Sequence, residues 1–291
     1  MEPIIRKLSP EDFPAFDAME SGIEDDYVKR IFKDIASTTR HQLYGLFVEE
    51  ELVSLCGLSV FAGSYGMIGR IRSDIRFRGQ AFATRLTAFV IEEAKKRPNV
   101  RWIGANTQEE NLPARRVLEK LGLKPYKPLI GAIGKDVSLM EKGGSPWSEV
   151  LNLERKKQWI EQLYIKTGDL FPYECYYLFP ASEVLFSDDK LSEWSFFENR
   201  EADRVLILQH DFKAHYHLHT IYPWDDLMVQ DGLWETISAE YRKLAAQHGE
   251  ETDIWMELTK EQATFLPEGH RFDLPSAWVL YGVSRSSFRE L

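Results

Sequence analysis

The run Arg76-Phe77-Arg78-Gly79-Gln80-Ala81-Phe82-Ala83-Thr84 constrains this chain more than any other stretch. It follows a strand-like segment and opens a helix whose Phe82, Leu86, Phe89, Val90 and Ala94 recur on one apolar face. Lys95, Lys96 and Arg97 suit that helix's C-terminal end, and Pro98 forbids continuation. At its start, Gly79, Ala81 and Ala83 alternate with larger residues and leave the backbone bare. The first amides of a helix lack intrahelical partners and sit at the positive end of its dipole. Phosphate oxygens can therefore reach them directly, with Arg76, Arg78 and Arg85 adding charge around the same turn. The spacing is neither G-x-G-x-x-G nor a P-loop, which excludes the usual dinucleotide and nucleoside triphosphate folds.

A second run completes the pattern. Val100–Ala105 reads as a strand, and Asn111-Leu112-Pro113-Ala114 opens a helix. Asn111 is its N-cap, Pro113 lies in the first turn, Ala114, Val117, Leu118 and Leu121 form the apolar face, and Gly122 follows the end. Arg76-x-x-Gly79-x-Ala81 resembles the acyl-CoA loop, Gln/Arg-x-x-Gly-x-Gly/Ala, of the GNAT superfamily of N-acyltransferases. Asn111-x-x-Ala114 with Leu118-Glu119-Lys120-Leu121-Gly122-Leu123 resembles the family's second signature, Asn-x-x-Ala and a Tyr-Glu-Lys-Leu-Gly-Phe-like run. The resemblance covers roughly residues 1–140.

That resemblance implies direct transfer of acetyl from acetyl-CoA to an amine of a small molecule or peptide. It implies that Arg76, Arg78, Gly79, Gln80, Ala81, Ala83 and Thr84 hold the pyrophosphate, that backbone amides near Ser73 and Ile75 receive the thioester carbonyl, and that Asn111 contacts the pantetheine arm. The usual Val-x-Pro before the loop is replaced by Ser73-Asp74-Ile75. The family's general acid, a tyrosine, is replaced by Leu118, which cannot donate a proton. Glu24, Asp25 and His41, and also Asp74 and Glu110, are conceivable bases, and none stands out. The acidic turn Glu24-Asp25-Asp26 reads as an amine-recognition loop or as the ordinary carboxylates of a helix N-terminus. The alternative to an enzyme is a non-catalytic acyl-CoA-binding or sensing protein whose C-terminal half is an interaction module.

The expected fold is mixed α/β: tandem GNAT-like domains, each with a mostly antiparallel sheet flanked by helices. Residues 1–140 form the acetyl-CoA-binding domain, with Leu129–Ile133 as its last strand. Residues 141–148 (Glu141-Lys142-Gly143-Gly144-Ser145-Pro146 onward) are a linker, and residues 149–291 are a degenerate second domain closed by the strand Ala277–Val283. In that second half the loop Tyr222–Gly232 is acidic and bulky where the first is basic and bare, so one CoA per chain is expected.

His215, His217 and His219 alternate along a strand and would share a face, but no ligand of recognisable spacing completes a metal site, Asp211 lying near a strand end, and none is expected. A net charge of −10 over 291 residues argues against nucleic-acid binding. Two distant cysteines, Cys56 and Cys175, fit a reducing compartment. With no signal-like or membrane-spanning run, the cytoplasm is the expected location. A homodimer paired through strand edges is compatible with the pattern.

Overall fold

The computed structural model describes residues 2–249 and 251–290. The chain runs through β1 (Ile4–Lys7), α1 (Phe13–Asp17), α2 (Tyr27–Ser37), β2 (His41–Val48), β3 (Glu51–Phe61), β4 (Tyr65–Ser73), α3 (Phe82–Lys95), β5 (Trp102–Gln108), α4 (Leu112–Lys120) and β6 (Lys124–Pro125). It continues through β7 (Ile130–Gly134), β8 (Ser148–Glu149), α5 (Leu153–Ile160), β9 (Leu170–Glu174), β10 (Tyr177–Pro180), α6 (Asp188–Glu193), β11 (Ser195–Glu198) and β12 (Val205–Phe212). Last come β13 (Tyr216–Ile221), α7 (Leu233–His248), β14 (Asp253–Leu258), α8 (Lys260–Thr264), β15 (Phe272–Asp273) and β16 (Trp278–Ser284). No helix among the described residues is long and apolar enough to cross a membrane.

Two compact units result, one of Met1–Tyr126 with Val279–Leu291, the other of Lys127–Trp278. The first holds a seven-stranded sheet in the order β1-β2-β3-β4-β5-β16-β6. Its neighbours pair antiparallel where register is defined, except β4 and β5, which run parallel. One face packs under α3 and α4 through Leu86, Val90, Ile91, Ala94, Leu118, Ile103, Val279 and Tyr281. The opposite face packs under α1 and α2 through Phe16, Val28, Phe32, Leu43 and Leu55.

The second unit repeats the plan. Its sheet runs β15-β7-β14-β13-β12-β11-β8, with β13 and β14 as the parallel pair and α7 covering one face. In both sheets the strand just beyond the parallel pair comes from the far half of the sequence. β16 enters the first sheet, and β7 pairs antiparallel with β14 in the second. The expected assignment of Leu129–Ile133 to the first half and Ala277–Val283 to the second is therefore corrected. Both segments are apolar strands, and their pattern is equally compatible with either sheet.

The expected linker at 141–148 is also corrected. Its backbone closes over the start of α7. The Lys142 and Gly144 amides donate to the Glu235 carboxylate at 2.6 and 3.0 Å, the Trp147 amide donates to Thr236 Oγ1 at 2.8 Å, and the Trp147 indole donates to the Asp231 carbonyl at 2.7 Å. Met140 and Trp147 are buried. Small residues here permit close approach rather than mobility. A Cβ on Gly232 (φ +78°) would lie 2.1 Å from the Ser145 carbonyl oxygen. Gly232→Ala is expected to cost about 2–3 kcal/mol, combining left-handed strain with overpacking. Gly168→Ala, at φ +70° but facing open space, should cost about 1 kcal/mol. Denaturant midpoints of the two variants check the difference, and equal losses would mean that the Ser145 contact contributes nothing.

Candidate functional site

The site grows from a divergence between two parallel strands. β4 and β5 pair only from Tyr65–Ile68 against Trp102–Ala105, although β4 runs on to Ser73 and β5 to Gln108. On its other edge β4 carries a bulge, where Arg70 and Ile71 oppose Cys56 and Arg70 takes φ +55°. The Asp74 amide donates to the Val53 carbonyl at 3.0 Å. By the alternation of a strand, the Ile71 and Ser73 amides then turn to the opposite edge, where β5 has moved away.

The loop that follows has two left-handed residues, Gly79 at φ +84° and Ala81 at φ +58°. Such alternation turns successive amides into one concavity. Ala81 is the N-cap of α3, and no side chain caps the helix. Arg85 supplies the first intrahelical bond, to the Ala81 carbonyl at 2.9 Å, so the amides of Phe82, Ala83 and Thr84 are those a helix start leaves open. Gly79, Gln80 and Ala81 are exposed, and a Cβ on Gly79 would meet nothing within 4 Å. This is an uncovered, positively polarised cradle at the mouth of the strand divergence.

The other expected site residues divide. Arg78 is exposed and reaches the Ser21 carbonyl at 3.3 Å. Arg76 turns away from the cradle: its guanidinium pairs with Asp74 at 2.7 Å and Glu51 at 3.2 Å. The Ile75 amide donates to the Glu20 carbonyl at 2.8 Å and is not open to a thioester. Asn111 spends its carbonyl oxygen on the Ala114 amide at 3.2 Å, capping α4.

Of the conceivable bases, Glu24 is exposed, and Asp25 is exposed and paired with Arg30. His41, the first residue of β2, pairs opposite Ser59 in the part of β3 far from the loop, with Nδ1 2.7 Å from Ser59 Oγ. Ser59 also accepts from Arg70 Nη1 at 3.0 Å. Ser59 pairs opposite Met67, whereas Ser54 pairs opposite Ser73. Five residues of strand thus separate His41 from the loop end of β4, roughly 17 Å. The fold does not bring Glu24, Asp25 and His41 together.

Asp74 is another of the conceivable bases. It is fully buried and accepts from the Glu20 amide (3.2 Å), the Arg76 amide (2.9 Å) and the Arg76 guanidinium. The Arg76 hydrogen bond outweighs desolvation and holds its carboxyl at about 2. A carboxylate so saturated takes no proton from an ammonium. It knots the α1–α2 loop to the anion loop instead. Asp26 does similar work: it caps α2 at the Val28 amide (3.0 Å) and clasps Arg72 of β4 with two contacts of 2.7 Å. Leu118 is 2% exposed, in the core with Tyr281. β16 thereby delivers a phenol beside α4, whose hydroxyl accepts from Arg115 Nε at 3.0 Å and donates to Glu119 Oε1 at 2.8 Å. Cys56 and Cys175 are free and buried, and desolvation pushes the Cys56 thiol up to about 12.

Comparison with known proteins agrees with this architecture. The profile of the Acetyltransferase (GNAT) family matches residues 4–123. No curated protein sequence matches the chain. Among solved structures, a protein from Thermoplasma acidophilum described as a candidate acetyltransferase superposes over 97% of this chain and 99% of its own, with a TM-score of 0.57 at 14% identity. A GCN5-related N-acetyltransferase from Sphaerobacter thermophilus covers 97% of this chain and 96% of its own, with a TM-score of 0.55 at 14% identity. A candidate acetyltransferase from Pyrococcus horikoshii does so over 97% and 89%, with a TM-score of 0.52 at 11% identity. These likenesses extend the fold over both units. The matched segment holds the strand divergence and the anion cradle together, and residues 4–123 carry a domain of the Acetyltransferase (GNAT) family.

Proposed function

We propose that the first unit binds acetyl-CoA and transfers its acetyl group directly to an amine of a small molecule or peptide. The observation that carries this reading is the pair of left-handed residues, Gly79 and Ala81, ahead of an uncapped helix at the point where β4 leaves β5. The pyrophosphate takes the amides from Gly79 to Thr84, with Arg78 and Arg85 as flanking charge. The pantetheine arm enters between the diverging strands, and the Asn111 Nδ2 group faces it from the start of α4. The amides of Ile71 and Ser73, and not that of Ile75, polarise the thioester carbonyl and stabilise the oxyanion. The neutral amine attacks that carbon, the C–S bond breaks, and the thiolate takes the proton that the amine gives up, through water, because Leu118 has none to give.

On this reading the second unit offers no equivalent site among its described residues. Residues 142–147 pack on the start of α7, which supports one CoA per chain.

A second reading, acyl-CoA binding without transfer, is favoured by one observation: the position of the family's acid is an apolar residue sealed in the core. Isothermal titration with acetyl-CoA and CoA tests the binding, and thiol release in the presence of an amine library separates the two readings. One site per chain is expected. Gly79→Trp should lower acetyl-CoA affinity about 100-fold, ~2.7 kcal/mol, by covering the cradle. Unchanged affinity would remove the loop from the proposal, and binding without thiol release from any amine would favour the sensing role.

A further inference from the structure

We propose that the second unit binds one first-row divalent ion, zinc by preference, through His215, His217 and Asp253. In sequence the alternating histidines lacked a third ligand. The parallel register of β13 and β14 supplies it by setting His217 opposite Asp253. One ligand atom from each of the three residues lies within 4.8 Å of the others. His215 Nε2 stands 2.6 Å from Asp253 Oδ2, and the His215 and His217 rings are 4.4 Å apart. Two imidazoles and one carboxylate are the donor set that zinc and its neighbours take, and three protein ligands leave a fourth position for water.

A further observation sets the cluster apart from an ordinary polar stripe. His217 is 3% exposed, and its Nδ1 has no hydrogen-bond partner, a cost that a buried imidazole rarely bears without a reason. His219 shares the unpartnered Nδ1, but its Nε2 is held by Glu257 at 2.8 Å, and the residue falls outside the cluster. Asp211, opposite His217 on β12, is taken by the Cys175 amide at 2.7 Å and by Lys213 at 3.3 Å. Lys135 lies 3.7 Å from Asp253 Oδ1. It holds that oxygen and leaves Oδ2 as a single donor facing the imidazoles, the role an outer partner plays at a metal site. The His215 side chain is about a third exposed and gives the ion its entry.

The cluster lies at the N-terminal ends of β13 and β14, whereas α7 is reached from the C-terminal end of β13. It is therefore independent of the acetyl-CoA reading and stands or falls separately. The test uses the full-length protein, stripped of metal by chelation and titrated with zinc in competition with a chromophoric chelator. Cobalt substitution reports the coordination number through its visible spectrum. One ion per chain and a tetrahedral cobalt band are expected. His217→Ala and Asp253→Asn should each weaken binding by about 100-fold or more, beyond the 10–100-fold attributable to outer partners. His219→Ala should leave it unchanged. Where His217→Ala fails to fold by circular dichroism, His215→Gln at the exposed edge carries the same expectation. Absence of stoichiometric zinc binding, or affinity preserved in any ligand variant that folds, would overturn the site.

Discussion

A fragment comprising residues 1–140 is expected to give no cooperative unfolding transition and to aggregate, although it contains the whole of the matched family segment. It lacks β16, which occupies an interior position between β5 and β6. Val279, Leu280, Tyr281 and Val283 of that strand are all buried. Burial of such side chains is worth about 1.5–3 kcal/mol each, roughly 6–12 kcal/mol together, which matches the ~5–15 kcal/mol by which whole domains are stable. The fragment would also expose the edge of β5 and strand β6, whose Lys124 and Pro125 pair with Gly282 and Tyr281. A rescue follows from the same geometry. β6 and β16 are antiparallel, and the Tyr126 amide donates to the Leu280 carbonyl at 2.8 Å. A short hairpin turn joining residue 126 to residue 279 should therefore restore a folded unit. Circular dichroism and thermal melts of the two chains decide it, and a monomeric 1–140 fragment with a sharp transition would contradict the strand assignment.

Asp26→Ala is expected to destabilise the first unit by about 3–5 kcal/mol, because it strands the Arg72 charge beside a buried wall. The Asp26 side chain is 0% exposed and that of Arg72 12%, so water cannot take over the lost contacts. The variant also removes the cap of α2, typically ~1 kcal/mol. Asp26→Asn keeps the cap acceptor and should lie between the variant and the parent. Replacing both partners with apolar residues should recover much of the loss. Acid acts on the same pair. Burial pushes the Asp26 carboxyl up, but Arg72 and the Val28 amide outweigh it and leave the group below its ordinary value. The carboxylate is thus more acidic folded than unfolded. Its contribution is complete above the unfolded carboxylate value and is lost as the pH falls from there through the folded one. Urea midpoints across that range measure it. An Asp26→Ala loss under 1 kcal/mol would show that the pair is cancelled by its desolvation.

Local order was legible in the residues, and long-range partnership was not. Apolar recurrence from Phe82 to Ala94 and the Asn111 and Gly122 signals marked α3 and α4, because helix ends are set by neighbours in sequence. The bare backbone at Gly79 and Ala81 marked the cradle for the same reason. Arg76 misled, since a basic residue beside an anion loop looks like a ligand until Asp74 and Glu51 are seen to claim it. Asp26 lay 46 residues from Arg72 and read as a solvated helix start. Asp253 lay 38 residues from His215, and only the pairing of two parallel strands brings it into reach. Gly143 and Gly144 have the composition of a flexible joint, yet Gly144 packs closely against Gly232, which the same composition permits. β7 and β16 have strand patterns that suit either sheet, and no local signal names the destination.

The exchange of β7 and β16 also orders events during synthesis. By the time residue 126 leaves the ribosome, every other strand of the first sheet has been made, yet the sixth place stays vacant until residues 278–284 follow. At ~5–20 residues per second that interval is roughly 8–30 s. Throughout it, the nascent chain carries an open interior edge that β7, made only a few residues later, is shaped to fill. The correct outcome requires β7 to be withheld for β14, which is itself more than 100 residues from completion. A chaperone that shields the β5 edge, or slow translation that lengthens the wait, should alter the yield of this protein more than that of a chain whose sheets close in sequence order.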